Sequence, residues 1–336
     1  VTIKEGSRIM AERIRWGIAG TGVIAAAFAE DLRLLDDAEL VAVGSRSQQS
    51  ADRFADAHGV ARRHVGYDAL AADPDIDAIY VAVPHTGHEE VTLTAIAAGK
   101  AVLCEKPFAI NAAQTERMVA AARAAGVFLM EAMWVRFLPH QAGLRDLIRE
   151  GRIGDIRSLI VDRGEVLSAD PAHRVLDPAL GGGALLDLGI YPVSFASMLL
   201  GTPDRVAAVA TESVTGVDAQ TSAVFGYRGG AQALISTALD VRTANTASIT
   251  GTKGRIDLVN WADSRLPVKL TLLDGTTQNL EFPWEGKGLR LQAAEVGRCL
   301  RAGEKESPVM PLDETLSIMR TLDLIREQIG LRYPGE

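Results

Sequence analysis

Gly20-Thr21-Gly22-Val23-Ile24-Ala25 follows a short apolar run and opens a helical stretch. That G-x-G-x-x-A spacing lets a chain turn tightly and present backbone N–H groups to a pyrophosphate. Gly20 permits the turn, Gly22 lets the backbone approach the phosphates, and Val23 and Ile24 begin the helix whose positive end faces them. Ala25 allows close contact between helix and strand. At the end of the next apolar run, where a carboxylate usually accepts the adenosine ribose hydroxyls, stands Ser45-Arg46-Ser47. Two hydroxyls and a planar guanidinium suit a ribose 2′-phosphate, so NADP is the expected cofactor, with NAD left open. The plain alternative is an ordinary βα turn followed by an exposed arginine.

Lys106 ends a later apolar run, and the strand ends of an open parallel sheet form its ligand crevice. Asp187 and Tyr191 are four residues apart on a predicted helix and so share a face. Oxidising an alcohol by hydride transfer needs a base for the hydroxyl proton and a cation that orients the same oxygen. Free tyrosine titrates at about pH 10, so Tyr191 is expected to act as the base only with Lys106 beside it, favouring the phenolate and holding the substrate oxygen. Asp187 is expected to accept from an adjacent hydroxyl, orienting the substrate first and relaying protons second. The Gly181-Gly182-Gly183 triplet is expected to bring backbone close to a ligand, and Pro192 to kink the helix. The alternative here is a solvated lysine and a buried helix with an amphipathic tyrosine at its margin.

A parallel sheet and a second layer must position these groups. From Ile14 to Met130 the chain alternates short apolar runs (Ile14–Ala19, Leu40–Val43, Ala78–Val83, Ala101–Cys104, Val127–Met130) with helix-forming stretches (Gly22–Leu35, Gln48–His58, His88–Ala98, Ala112–Ala125). This is the βαβ rhythm of a doubly wound sheet. Beyond Asp155 follow strand-like runs at Ile156–Arg163, Val206–Ser213, Ser222–Tyr227, Gln232–Leu239, Ala247–Thr250, Arg255–Val259, Val268–Leu273 and Asn279–Phe282, then helices at Leu289–Arg301 and Asp313–Gln328. The expected architecture is α/β: a tail over 1–12, a Rossmann domain over 13–130, and an α+β domain with a large, open, mostly antiparallel sheet over 131–336. Ala223, Phe225 and Tyr227, or Ile235 and Leu239, are expected on a sheet face too apolar for water, which predicts a homodimer, or else a dimer of dimers.

Leu103-Cys104-Glu105-Lys106-Pro107, taken with Val83-Pro84-His85, resembles the E-K-P signature of the glucose–fructose oxidoreductase/inositol dehydrogenase (Gfo/Idh/MocA) family. The resemblance continues through Glu131-Ala132-Met133-Trp134-Val135-Arg136-Phe137, the segment Gly181–Pro192 and the hairpin Gly251-Thr252-Lys253-Gly254. The Trp134 and Tyr191 segments are most similar to the NADP-dependent dihydrodiol and D-xylose dehydrogenases. The resemblance implies a cis Lys106–Pro107 bond and a cofactor lined also by Val83, Pro84, His85, His88, Glu105, Lys106, Trp134 and Arg136. His85 is expected under the nicotinamide ribose, and His88 at the start of a surface helix. Trp134 is either a wall for a ring or sugar face or part of the core, and Arg174 and His173 are expected to meet substrate hydroxyls. Cys104 reads as an inert core thiol.

Composition narrows the classes. The 336 residues argue for two domains, and 47% apolar with 23% charged residues excludes disorder. With 35 basic against 43 acidic residues the net charge is −8, which disfavours nucleic acid. Two cysteines, Cys104 and Cys299, fit a reducing, cytoplasmic setting. No uninterrupted apolar stretch of roughly 18 residues predicts a membrane span, and no His, Cys and carboxylate spacing predicts a metal. The expected activity is hydride transfer between the nicotinamide and a CH–OH group of a cyclic polyol, aldose or trans-dihydrodiol. The alternatives are a cofactor-binding regulator without chemistry, or a glycosidase that uses NAD transiently.

Overall fold

In the computed structural model, which describes residues 13–336, the first apolar run is the pivot of a six-stranded parallel sheet. The strands are β1 (Ile14–Ala19), β2 (Ala38–Ser45), β3 (Arg62–Val65), β4 (Ala78–Val81), β5 (Ala101–Glu105) and β6 (Leu129–Ala132), ordered β3-β2-β1-β4-β5-β6. Helices α1 (Val23–Leu32), α2 (Gln48–His58), α3 (Tyr67–Ala71), α4 (His88–Ala97) and α5 (Ala112–Ala125) make the crossovers. The order reverses between β1 and β4, and a crevice opens there at the carboxyl ends of the strands. Trp16 on β1, Phe28 on α1 and Tyr80 on β4 pack ring against ring, with centroids 5.5 and 3.9 Å apart, and this seats α1 on the sheet behind the glycine turn. The predicted bounds of α2 and α5 match because Ser47 and Asn111 cap their first turns while Gly59 and Gly126 close them in the left-handed conformation.

Two elements of this domain have no counterpart in the sequence reading. Arg62-Arg63-His64-Val65 carries no apolar run, yet it pairs with β2 as the edge strand β3, and α3 follows it directly. The tail 1–12 lies outside the described residues.

After α6 (Pro139–Arg149), also unforeseen because His140 and Gln141 share its buried face with Leu144 and Leu147, the chain enters the second sheet. Its strands are β7 (Ile156–Gly164), β8 (Arg205–Glu212), β9 (Asp218–Gly226), β10 (Gln232–Ala238), β11 (Thr246–Gly251), β12 (Gly254–Val259), β13 (Val268–Leu272) and β14 (Thr277–Leu280). The order is β14-β13-β12-β11-β7-β10-β9-β8. Every pair is antiparallel except β7 and β10. That one parallel pair arises because the chain leaves β7 through α7 (Ile190–Leu200), reaches the far edge at β8, and returns by two hairpin steps.

The helix layer decides which sheet face is dry. Ala223, Phe225, Ile235 and Leu239 are all buried and pack in one cluster with residues of α7, so these side chains point inward, contrary to the expected outward face. The open face instead carries Ile160, Val224, Leu234 and Val209. The helical run Pro178–Leu200 is long and apolar enough to cross a membrane by composition, but most of it is buried as the core helix between sheet and crevice. Finally α8 (Leu289–Ala302) packs on α1 and α9 (Leu312–Ile329) packs on α5, so the end of the chain returns to the first domain.

Candidate active site

A cavity of about 870 Å³ runs from the glycine turn to the start of α7. At its first end Gly20 adopts φ +116°, and a Cβ there would meet the Ala82 carbonyl oxygen at 2.4 Å. The turn therefore lies flat on the β4 strand end, as only glycine allows. Gly22 faces open space, Val23 is 90% exposed, and the N-terminus of α1 has no side-chain cap. These uncapped N–H groups at the wall of an open concavity fit the pyrophosphate of a dinucleotide. Ser45, Arg46 and Ser47 line the next stretch with Ser50 and Tyr67. Neither Ser50 nor Tyr67 stands out in the sequence pattern. Tyr67 follows β3, whose Val65 lies in register with Ser45, so the missed edge strand hid it.

At the other end the three chemical side chains meet. The Lys106–Pro107 bond is cis, as expected. The Lys106 Nζ donates to the Asp187 carbonyl oxygen at 2.7 Å, lies 3.7 Å from Asp187 Oδ1, and sits 4.8 Å from the centroid of the Tyr191 ring. Pro192 has no N–H to return to the preceding turn, and the chain there winds as a π-helical turn over Leu185–Gly189 before α7 begins. Asp187 thus sits on the π turn and Tyr191 on the first turn of α7, and both line the cavity. Trp134 Nε1 donates to the Tyr191 hydroxyl at 3.1 Å.

Electrostatics define the charge states. Burial would push the Asp187 carboxyl up, but Lys106, His85 and Arg174 outweigh it and hold the group well below the usual carboxylate range. Arg174 Nη1 donates to Asp187 Oδ1 at 3.1 Å, so the loop arginine expected at the substrate is already at the mouth. Burial also opposes the Lys106 ammonium, and here Tyr191, Asp187 and Glu105 win, raising its pKa. His85 is pushed down to about 3, chiefly by burial, so a neutral imidazole faces Asp187 with Nε2 at 3.7 Å. Its Nδ1 lies 3.0 Å from the Gly181 carbonyl oxygen.

The chain matches the model of an oxidoreductase family with an NAD-binding Rossmann fold over residues 14–133 and that of the GFO/IDH/MocA C-terminal domain over residues 142–257. It is 37% identical over 340 residues to a trans-1,2-dihydrobenzene-1,2-diol dehydrogenase of Bos taurus, covering 96% of this chain and 99% of the relative. The chain belongs to the GFO/IDH/MocA oxidoreductase family. The Homo sapiens protein of the same name is 38% identical over 339 residues, covering 96% of this chain and 99% of that one. Among solved structures, an aldose-aldose oxidoreductase of Caulobacter crescentus complexed with glycerol superposes with a TM-score of 0.87 at 27% identity, covering 95% of this chain and 98% of the other. A 3-ketoreductase from Actinomadura kijaniata in complex with NADP and TDP-benzene gives 0.85 at 28% identity, again over 95% and 98% of the two chains. As a member of this family the chain is an NAD(P)-dependent oxidoreductase.

Some residues expected around the cofactor of this GFO/IDH/MocA protein stand elsewhere. Arg136 is buried and does not reach the cavity. Its Nε donates to Ser194 Oγ at 3.0 Å and its Nη2 to the Ser194 carbonyl and Glu314, both at 2.7 Å, so it clamps α7 to α9. His88 is fully buried rather than on a surface helix, with Nδ1 2.8 Å from the Pro107 carbonyl and Nε2 3.0 Å from that of Val83. It ties the two strand ends together while still touching the cavity beside Val83 and Pro84. Glu105 lines the cavity but its carboxylate accepts from the Tyr80 hydroxyl and the Lys106 N–H. The glycine triplet serves packing, not a ligand: a Cβ on Gly181, Gly182 or Gly183 would meet Ile110, the Val175 carbonyl or Asp218 at 2.5, 2.7 and 2.3 Å. Cys104 is a buried free thiol.

Proposed function

We propose that this protein is an NADP-dependent dehydrogenase of CH–OH groups in cyclic polyols, aldoses or trans-dihydrodiols. The observation that carries the reading is the meeting of Lys106, Asp187 and Tyr191 at the strand-end limit of the cavity that begins at the glycine turn. When bound, the nicotinamide supplies the hydride acceptor, or the donor in reverse. Lys106 donates to one substrate hydroxyl oxygen while that hydroxyl donates to the ionised Tyr191 oxygen, and its proton passes to that oxygen as the carbonyl forms. Lys106 offsets the charge that Tyr191 carries when ionised, and the Trp134 N–H fixes that oxygen in place. Asp187, kept ionised, accepts from the neighbouring hydroxyl and selects the carbon presented. The two serines and the Arg46 guanidinium support NADP, and the NADP complex of the ketoreductase agrees.

Purified protein with NADP and a panel of pentoses, hexoses, cyclic polyols and dihydrodiols tests this reading through absorbance of the reduced nicotinamide. Growth with at least one panel member, abolished by Tyr191→Phe, is the expected result. Silence across the panel overturns it.

We further propose a cytoplasmic homodimer. Ile160, Leu234 and Val224 stand in register across β7, β10 and β9 on the open face, with Val209 nearby on β8, and a second copy would cover this row. Light scattering of dilute protein should give twice the chain mass, and a monomeric mass overturns the dimer.

A further inference from the structure

Gly181, Gly182 and Gly183 have no side chains to fix them, and Gly181 and Gly183 take φ of +73° and +119°, so hydrogen bonds decide where this turn lies. Their N–H groups go back to the loop before them, to the carbonyls of Pro178, Asp177 and Val175. Their three carbonyls go to three different places. That of Gly181 accepts from His85 Nδ1 at 3.0 Å and that of Gly183 from the Asp187 N–H at 3.2 Å, so each flanking carbonyl holds a residue that lines the cavity. The middle one, of Gly182, accepts from the Tyr333 hydroxyl at 2.6 Å. Tyr333 is buried, stands outside the cavity lining, and comes from the segment that follows α9. Burial, with the Asp218 carboxylate nearby, pushes its phenol up in pKa, so the hydroxyl stays a donor.

The same segment grips the other side of the site. The Arg326 guanidinium, on the last turn of α9, lies 4.7 Å from the centroid of the Tyr333 ring and donates through Nη1 to the Ile110 carbonyl at 2.9 Å. Ile110 belongs to the stretch that follows Lys106, and its Cδ1 packs on Gly181. Glu336 joins the two: one carboxylate oxygen accepts from Arg326 Nη2 and from the Tyr333 N–H, the other from Asn111 Nδ2 at 2.7 Å. One hydrogen-bonded group thus touches both the stretch that leaves Lys106 and the turn that leads into Asp187.

We propose that Tyr333 is a positioning residue, which sets Asp187 and His85 opposite Lys106 by holding the Gly182 carbonyl, and that the segment 326–336 is the strap that fixes this spacing. The inference rests on the reading of Lys106, Asp187 and Tyr191 as the site of hydride transfer. A phenylalanine at 333 fills the same space and keeps the stacking on Arg326. Only the turn loses its donor.

Two measurements on Tyr333→Phe and wild type test this. Steady-state kinetics use NADP and the panel compound that wild type turns over fastest, with rates divided by the NADP sites titrated by fluorescence. The rate per site should fall about 5- to 10-fold while KM for NADP stays within about 2-fold. A merely structural role lowers the number of sites and leaves the rate at each one. Hydrogen exchange read by mass spectrometry should show the amides of 184–191 exchanging about 5- to 10-fold faster, with those of β4 and β5 unchanged. Glu336→Gln, which keeps the hydroxyl and loosens the segment that presents it, should give the same pattern to a smaller extent, and it takes the place of Tyr333→Phe if that variant binds no NADP. A rate per site equal to wild type, or unchanged exchange at 184–191, overturns the strap. Absence of turnover in wild type overturns the dehydrogenase reading instead. Exchange alone then decides: faster at 184–191 supports the strap, and unchanged removes it.

Discussion

The indole N–H of Trp134 donates to the phenolic oxygen of Tyr191 at 3.1 Å. Trp134 follows the last strand of the first sheet, whereas Tyr191 rides on the core helix that covers the second. The phenol is therefore aligned by the segment that leaves the first sheet, and Lys106, directly after β5 in that sheet, approaches the same ring. Arg136, two residues after Trp134, secures the following turn of that helix through Ser194. One short segment thus sets both the direction of the hydroxyl and the seating of its helix.

Removing either reacting partner should be severe. Tyr191→Phe and Lys106→Met are each expected to lower kcat/KM by about 10²- to 10⁴-fold. The double variant should lose less than the product of the two, because both act on one oxygen. Steady-state kinetics check this, with NADP affinity of Tyr191→Phe staying within a few-fold of wild type.

Trp134→Phe keeps a ring in the wall and deletes only the donor to Tyr191. A drop in kcat of about 10-fold is expected from one hydrogen bond, with KM for NADP little changed. An equal rise in both Michaelis constants would point to a wall and nothing more.

Arg46→Ala should weaken NADP by about 10- to 100-fold while NAD binding changes little, since a charged hydrogen bond to the 2′-phosphate is lost and the rest of the cradle remains. Fluorescence titration with each cofactor measures the ratio. Equal weakening of both would mean that Arg46 merely shapes the turn.

Glu131 gives the fold a pH dependence. It is fully buried, accepts from the Phe108 N–H at 3.2 Å through Oε1, and has no partner for Oε2 among the described residues. Burial pushes its carboxyl up to about 7, with Arg136 offsetting only part. Between the ordinary carboxyl range and that value the folded protein keeps a proton that the unfolded chain releases, so stability falls as pH rises through the window. The loss amounts to about 3 kcal/mol once the pH exceeds the folded-state value. Glu131→Gln should flatten this slope in urea melts run from about pH 5 to 8. Parallel slopes in the two proteins would contradict it.

Much of this organisation is readable from residue patterns, and the failures share a cause. The β1 turn is legible because Gly20 and Gly22 announce a backbone need that is local. The meeting of Lys106, Asp187 and Tyr191 is legible because Lys106 directly follows a strand while Asp187 and Tyr191 lie one turn apart. The edge strand β3 is not, since Arg62-Arg63-His64-Val65 pairs on one side only and needs no apolar run, and Tyr67 was lost with it. His88 and Arg136 read as surface or ligand contacts because polar side chains are usually exposed. Their burial depends on acceptors supplied from afar: the Pro107 and Val83 carbonyls for His88, and Ser194 and Glu314 for Arg136. The inward face of the second sheet differs from the sequence expectation for a similar reason. Alternation along β9 and β10 reveals that two faces differ, while the side on which α7 packs is a property of the tertiary fold.

The central claim is that an ammonium from the first domain and a phenol from the second act on a single substrate oxygen. A crystal structure with NADP and a bound polyol measures this directly. Lys106 Nζ and the Tyr191 hydroxyl should both lie within about 3.2 Å of the same oxygen. A closed, liganded molecule in which only one of them reaches it, or in which they contact different hydroxyls, would contradict the account.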